Sequence, residues 1–156
     1  MSIAVFDIDG VVADVRHRVH HVEGRQKHWG RFFEAAARDG GSPEGIEWAL
    51  RAAADHDLVW LTGRPEWLRP VTAAWLAKHG LPTQELIMRP DQDYRPARLL
   101  KVSVLNSLAD RDVVVFVDDD PQVIQAAAAA GFPAALADWM PRGAALSEAQ
   151  NRAGRT

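Results

Sequence analysis

Three short stretches of the chain bring together carboxylates, a hydroxyl and a guanidinium: Asp7-Ile8-Asp9-Gly10, Thr62-Gly63-Arg64 and Asp118-Asp119-Asp120. Alternation along a strand places Asp7 and Asp9 on the same side, and Gly10 lets the chain turn sharply after them. If the run before Asp118 lies beside the run before Asp7, Asp118 and Asp119 arrive close by. Two like charges about 4 Å apart repel by roughly 4 kcal/mol at an effective dielectric near 20. Three or four such carboxylates therefore need a counter-charge. An all-oxygen set suits a hard cation, and magnesium prefers a few carboxylates, several waters and a substrate phosphate. Taken singly, each stretch has a plainer reading: Asp-x-Asp-Gly is a turn, Thr-Gly-Arg a loop, and Asp120 a helix cap. Taken together, in this order, they read as one site.

The elements that would position these residues are short apolar runs. Ile3 to Ile8, broken by Asp7, reads as a buried strand, as do Leu58 to Leu61 and the β-branched run Val113 to Val117. Glu85 to Met88 and Ala134 to Leu136 are shorter candidates. Helices are predicted after Ser42-Pro43-Glu44, from about Glu66 to His79, along Ala97, Leu100, Val104, Leu105 and Leu108, and from Asp120-Pro121 to Gly131. Strands alternating with helices predict an α/β fold: a central parallel sheet with helices on both faces, a Rossmann-like three-layer sandwich. In such sheets ligands bind beyond the carboxyl ends of the strands. All three chemical stretches follow an apolar run, as that rule requires.

The chain has 156 residues, which predicts a single core. Its apolar fraction of 47% and charged fraction of 25% are ordinary for a globular protein. No apolar run approaches the roughly 20 residues that cross a bilayer, and no basic-then-apolar leader opens the sequence, so no membrane partner and a cytoplasmic location are the expectation. The absence of cysteine excludes disulfides, thiolate zinc sites and thiol nucleophiles. A formal net charge of −3 gives no overall attraction to nucleic acid, although Arg16, Arg18, Arg25, Lys27 and Arg31 form one basic cluster and Arg89, Arg95, Arg98 and Lys101 another. From about Arg142 the sequence is polar and alanine-rich, so residues 1–141 read as the folded domain and 142–156 as a loosely ordered tail. The sequence leaves the oligomeric state open.

Four ordered motifs resemble those of the haloacid dehalogenase-like phosphohydrolase superfamily: Phe6-Asp7-Ile8-Asp9-Gly10, Leu61-Thr62-Gly63-Arg64, Lys101, and Val117-Asp118-Asp119. The resemblance implies that Asp7 attacks phosphorus to form an aspartyl-phosphate and that Asp9 is the general acid and then the general base. It further implies that Lys101 neutralises the nucleophile and the phosphate, and that Thr62 and the Gly63 loop hold phosphate oxygens. Magnesium would sit on the Asp7 side chain, the Asp9 main-chain carbonyl and Asp119, with Asp118 in support. Asp14-Val15-Arg16-His17-Arg18, Trp29-Gly30-Arg31-Phe32-Phe33, Thr62-Gly63-Arg64-Pro65-Glu66 and Asp118-Asp119-Asp120-Pro121-Gln122-Val123 are similar to the 3′-phosphatase domain of phage-type polynucleotide kinase/phosphatase. That likeness adds Arg18 and Arg64 as grips on the substrate's phosphates, a role suited to a planar fork of donors.

The expected substrate is thus a phosphorylated 3′ end of DNA or RNA. Nucleotides or small phosphate esters are the alternative, and a silent phosphate-binding module is a second. One departure bears on substrate choice: the family has an aspartate four residues before the motif lysine, where this chain has Ala97. The intervals that carry lid domains elsewhere in the superfamily hold only about 30 and 12 residues, too few for a large cap, and predict an uncovered site. His17, His20 and His21 stand at helical spacing and raise a zinc site as an alternative to solvated histidines. Trp29, Phe32 and Phe33 read as the buried stripe of a short helix rather than a base-stacking surface, and Trp48, Trp60, Trp67 and Trp75 as packing residues.

Overall fold

The strand Ile3–Phe6 (β1) is inaccessible along its whole length, which explains why its sequence is continuously apolar rather than alternating. A computed structural model describes all residues, 1–156, and places β1 at the centre of a five-stranded sheet. Two-residue strands Ala13–Asp14 (β2) and Gly40–Gly41 (β3) pair antiparallel outside that sheet. The main sheet continues with Asp57–Pro65 (β4), Leu86–Arg89 (β5), Val113–Asp118 (β6) and Ala134–Leu136 (β7), ordered β5-β4-β1-β6-β7 with every pairing parallel. The predicted α/β sandwich is therefore present, and all five predicted strands belong to it.

Alternation divides the core in two. Ala4, Phe6, Leu58 and Trp60 face the larger cluster, and Ile3, Val5, Val59 and Leu61 the smaller. Each large apolar side chain fully buried this way contributes roughly 1.5–3 kcal/mol. The helices Trp29–Glu34 (α1), Pro43–Asp55 (α2) and Arg69–Lys78 (α3) cover the first face, and Ala97–Ser107 (α4) and Pro121–Ala129 (α5) the second. Helix ends follow the expected chemistry: Asp120 accepts the Gln122 amide at 2.9 Å, and Gly80 turns the chain after α3 with φ of +71°. Ser42, expected to cap α2, turns its hydroxyl to Glu44 instead, at 3.4 Å.

β4 is longer than its apolar run. The strand continues through Thr62, Gly63 and Arg64, but its pairing with β5 is irregular between Leu61 and Pro65. Those residues thus leave the regular ladder at the carboxyl edge of the sheet, where β1 and β6 also end. Trp60 and Trp75 are buried and Trp48 packs edge-on against Phe6 at 5.7 Å, whereas Trp67, 53% exposed, packs only one side, edge-on against Phe33 at 5.5 Å. Phe32 and Phe33 are buried and Trp29 half-buried, as a short-helix stripe requires.

Residues after Arg142 differ from the loose tail expected of their composition. Ala144–Asn151 form a helix (α6) whose stripe Leu146, Ala149 and Gln150 is buried, and Thr156 is buried beyond it. Gln150 and Asn151 find partners inside the protein, Arg142 and Asp120, while Glu148 stays exposed. No helix is long and apolar enough to cross a membrane.

Candidate active site

Register delivers the first carboxylates. Phe6 pairs with Val117 across β1 and β6, so the residues that follow, Asp7 and Asp118, emerge side by side, and the Asp7 amide donates to the Val117 carbonyl at 2.9 Å. Gly10 closes the turn after Asp9 with φ of +78°, and a Cβ at that position would collide with the Asp119 carboxylate. Asp7, Asp118 and Asp119 thereby bring carboxylate oxygens within 4.8 Å of one another. From α4, Lys101 reaches Asp118 at 2.6 Å and Asp7 at 3.1 Å.

These four groups are not equivalent. Asp118 is spent on structure: one oxygen accepts from Lys101 and the other from the Asp120 amide at 2.9 Å. Asp119 Oδ1 is buried without a hydrogen-bond partner, and Asp7 Oδ2 is buried with only the Lys101 ammonium beside it, at 3.1 Å. Burial pushes the Asp7 carboxyl well above its usual range; Lys101 opposes, while Asp118, Asp119 and Asp9 add to the rise. Burial, with Asp118 behind it, likewise raises Asp119 to about 7 against the pull of Arg142 and Lys101. Lys101 is driven the other way: burial disfavours its charge, but Asp118 and Asp7 outweigh that and hold it protonated. Buried carboxylates that repel one another, one with an oxygen no donor reaches, fit a hard divalent cation, with Asp7 and Asp119 the residues able to hold it.

Asp9 belongs to a different network. Arg64 donates to its Oδ1 from Nη2 at 2.6 Å and from Nε at 3.0 Å, and Arg18 reaches the same oxygen at 3.2 Å. Burial alone would raise Asp9, but Arg64 and Arg18 hold it down at about 2. Both arginines, wholly inaccessible, also grip Asp39: Arg18 at 2.8 and 2.9 Å, Arg64 at 3.0 Å. His17 adds a contact to Asp39 at 2.6 Å and Thr72 one to Arg64 at 3.2 Å. Two aspartates and two arginines therefore neutralise each other in the interior, where an unpaired ion would be very costly. Thr62, 1% exposed, accepts the Arg64 amide, and the Gly63 carbonyl accepts from buried Arg89.

Every candidate site residue thus falls in one buried neighbourhood: Asp7, Asp9, Arg18, Thr62, Gly63, Arg64, Lys101, Asp118 and Asp119. Of the two basic clusters only Arg18, Arg89 and Lys101 turn inward, while Arg16, Arg25 and Arg31 are exposed. No zinc site forms. The histidines lie on a 3-10 turn, Arg16–Val22, where α-helical spacing does not align them, and the carboxylate cluster is the sole group of three or more ligands. Asp39, Thr72, Arg89 and Arg142 carry no motif that marks them in sequence.

The site is covered rather than open. No large cap domain is present, as the shortness of the intervals after β1 and β5 predicts; the residues after β7 lie against the site instead. Arg142 donates to Asp119 Oδ2 at 2.9 Å and lies 3.2 Å from Asp120, which also accepts from Asn151 at 2.6 Å. Thr156 packs against Gly63 so closely that a side chain there would strike its backbone. Its hydroxyl lies 3.4 Å from Asp9 Oδ2 and its carbonyl accepts from Arg89 at 3.3 Å.

Residues 1–135 match the family model of the polynucleotide kinase PNKP phosphatase domain. Among solved structures, a chain of a Pnkp1/Rnl/Hen1 RNA repair complex superposes with a TM-score of 0.71 at 21% identity, over 86% of this chain and 42% of that one. The class C acid phosphatase from Bacillus anthracis gives 0.60 at 19% identity, over 78% and 53%. A putative beta-phosphoglucomutase from Thermotoga maritima gives 0.56 at 18%, over 97% and 93%. The chain spans less than half the length of the repair-complex chains it matches. No curated protein matches it significantly.

Proposed function

Because the chain belongs to the family of polynucleotide kinase PNKP phosphatase domains within the haloacid dehalogenase-like hydrolases, we propose that it removes the 3′-phosphate from DNA or RNA ends through an aspartyl-phosphate on Asp7. That it is a phosphatase follows from the family; the substrate and the residue roles are our reading. The observation that carries it is the pair of buried arginines converging on Asp9, two residues beyond Asp7. Arg18 and Arg64 present planar forks matched to phosphate oxygens, and they reach the same carboxylate oxygen of Asp9.

The reading gives each group one task. A carboxylate oxygen of Asp7 attacks phosphorus; the ester oxygen leaves with a proton from Asp9; water, deprotonated by Asp9, then attacks the acyl phosphate and returns Asp7. Lys101, fixed by Asp118, offsets charge on Asp7 and the transferring group. Magnesium held by Asp7, Asp119 and the Asp9 main-chain carbonyl would supply the charge clamp that a phosphoryl group with dispersed negative charge requires. Asp9 cannot donate a proton while two arginines hold it ionised. A phosphate dianion that draws Arg18 and Arg64 onto itself strips Asp9 of its cations and lets burial raise it into the range of an acid.

Phosphate release from a 3′-phosphorylated oligonucleotide, a mononucleotide and an aryl phosphate, each with and without magnesium, tests the proposal. Preference for the oligonucleotide and dependence on the metal are expected; preference for the mononucleotide defeats the substrate assignment. That second reading, a phosphatase of nucleotides or small esters, has one observation in its favour: residues 142–156 narrow the approach to Asp9 and Asp119.

A further inference from the structure

Beside the loop that follows Arg64 lies a cleft of about 290 Å³, lined in part by Phe33, Pro65, Trp67, Arg89, Tyr94 and Arg155. It is near the lower bound for small-ligand clefts, ~300 Å³. Trp67 and Tyr94 leave roughly half their surface in solvent, at 53% and 52% exposed, so both present ring surface to the cleft. Trp67 is braced from behind, with Phe33 edge-on at 5.5 Å and its own amide bonded to Asp91 at 3.1 Å. Two lining residues tie the cleft to the phosphate-side loop: Pro65 follows Arg64 directly, and Arg89 donates to the Gly63 carbonyl at 3.1 Å.

What already sits on the face of Tyr94 indicates what it takes. The planar guanidinium of Arg155 lies 4.6 Å from the centroid of Tyr94 and 5.4 Å from that of Trp29, while the next residue, Thr156, rests on Gly63 and reaches Asp9 at 3.4 Å. One segment therefore places a flat group on the aromatic wall and a polar group at the phosphate end. A terminal nucleotide has the same layout, with a planar base and a phosphate a sugar's length apart. We propose that the cleft between Trp67 and Tyr94 is a nucleobase subsite, receiving the base of the nucleotide whose 3′-phosphate meets Asp7, with Arg155 as the resident group it displaces. This rests on the 3′-end phosphatase reading and adds to it a residue-level base platform. Stacking on such a platform tolerates any base, because every base has a π-face.

The test uses two 3′-phosphorylated oligonucleotides, one ending in an ordinary nucleotide and one in an abasic sugar carrying the same phosphate. The whole chain should show a KM roughly 10-fold lower for the base-bearing end, within the range expected for one stacked base. Trp67→Ala and Tyr94→Ala should each bring the ratio of the two KM values toward 1. Arg155→Ala should lower KM for the base-bearing end by vacating the seat, whereas a rise would show that Arg155 grips substrate and overturn its role as a stand-in. Turnover of both ends with equal KM in the unaltered chain removes the subsite and leaves the phosphatase assignment intact. No turnover of either removes both.

Discussion

Arg64 Nη2 stands 2.6 Å from Asp9 Oδ1, so the proposed acid is ion-paired with one of the proposed phosphate grips. The same nitrogen lies 3.0 Å from Asp39 Oδ2, and Nε supplies a second bond to Asp9. Lysine carries the charge but not the fork, and cannot make these contacts together. Arg64→Lys should lower kcat/KM for a 3′-phosphorylated oligonucleotide roughly 10- to 100-fold, the worth of one or two charge-assisted hydrogen bonds. Steady-state kinetics decide it: an unchanged kcat/KM would remove Arg64 from the substrate grip.

Asp39 offers a sharper structural prediction, because it holds Arg18, Arg64 and His17 at once without contacting Asp7. Removing one member of a buried ion pair leaves the other uncompensated, at a cost of about 3–5 kcal/mol. Asp39→Ala should lose that much in denaturant unfolding, and Asp39→Asn less, since an amide still accepts from one arginine. A loss below ~1 kcal/mol for the alanine variant would show that the network does not brace the fold.

The contrast between Asp7 and Asp39 shows what the sequence makes legible. Asp7, Thr62 and Asp118 each end an apolar run, and a parallel sheet brings such ends to one edge, so their meeting follows from pattern alone. Asp39 follows α1 and a 3-10 turn and precedes Gly40-Gly41, a setting that reads as loop, and its partners lie 21 and 25 residues away. Nothing in local periodicity announces a contact of that kind. Arg142 and Thr156 escape for a related reason: an alanine-rich polar segment looks like a tail until Asp119, Asp120 and Gly63 are seen to receive it. Ala97 is legible in a different sense. It is 1% exposed and belongs to the smaller apolar cluster, so a carboxylate at this position would enter an apolar layer.

Asp7→Asn should abolish turnover and at the same time stabilise the metal-free protein. The amide is a very poor nucleophile, so phosphate release should fall to background. Asp7 is also buried among Asp118, Asp119 and Asp9, which push its carboxyl upward, and a neutral isostere removes that strain while Lys101 keeps Asp118. Each kcal/mol gained raises Tm by roughly 2–4 °C for a chain of this size. A thermal melt in chelator at pH 8 checks it, and a lower Tm for Asp7→Asn would contradict the account of the cluster.

The last prediction concerns pH and metal together. Burial and Asp118 raise the folded-state Asp119 from 3.8 to about 7, so between these values the folded protein binds a proton that the unfolded chain releases. Its stabilising contribution is complete below pH ~4 and lost as pH rises through about 7; Asp7, also raised, acts in the same direction. Asp9, lowered to about 2, acts oppositely, but its contribution is lost only as pH falls below ~4, outside this window. The Tm of the metal-free protein should therefore decline from pH 5 to pH 8. A divalent cation replaces the missing proton, so magnesium should raise Tm more at pH 8 than at pH 5, where it must first displace that proton. Melts in chelator and in excess magnesium across this range provide the measurement. Asp119→Asn should flatten the metal-free decline and shrink the magnesium shift, and an unaltered shift in that variant would place the cation elsewhere.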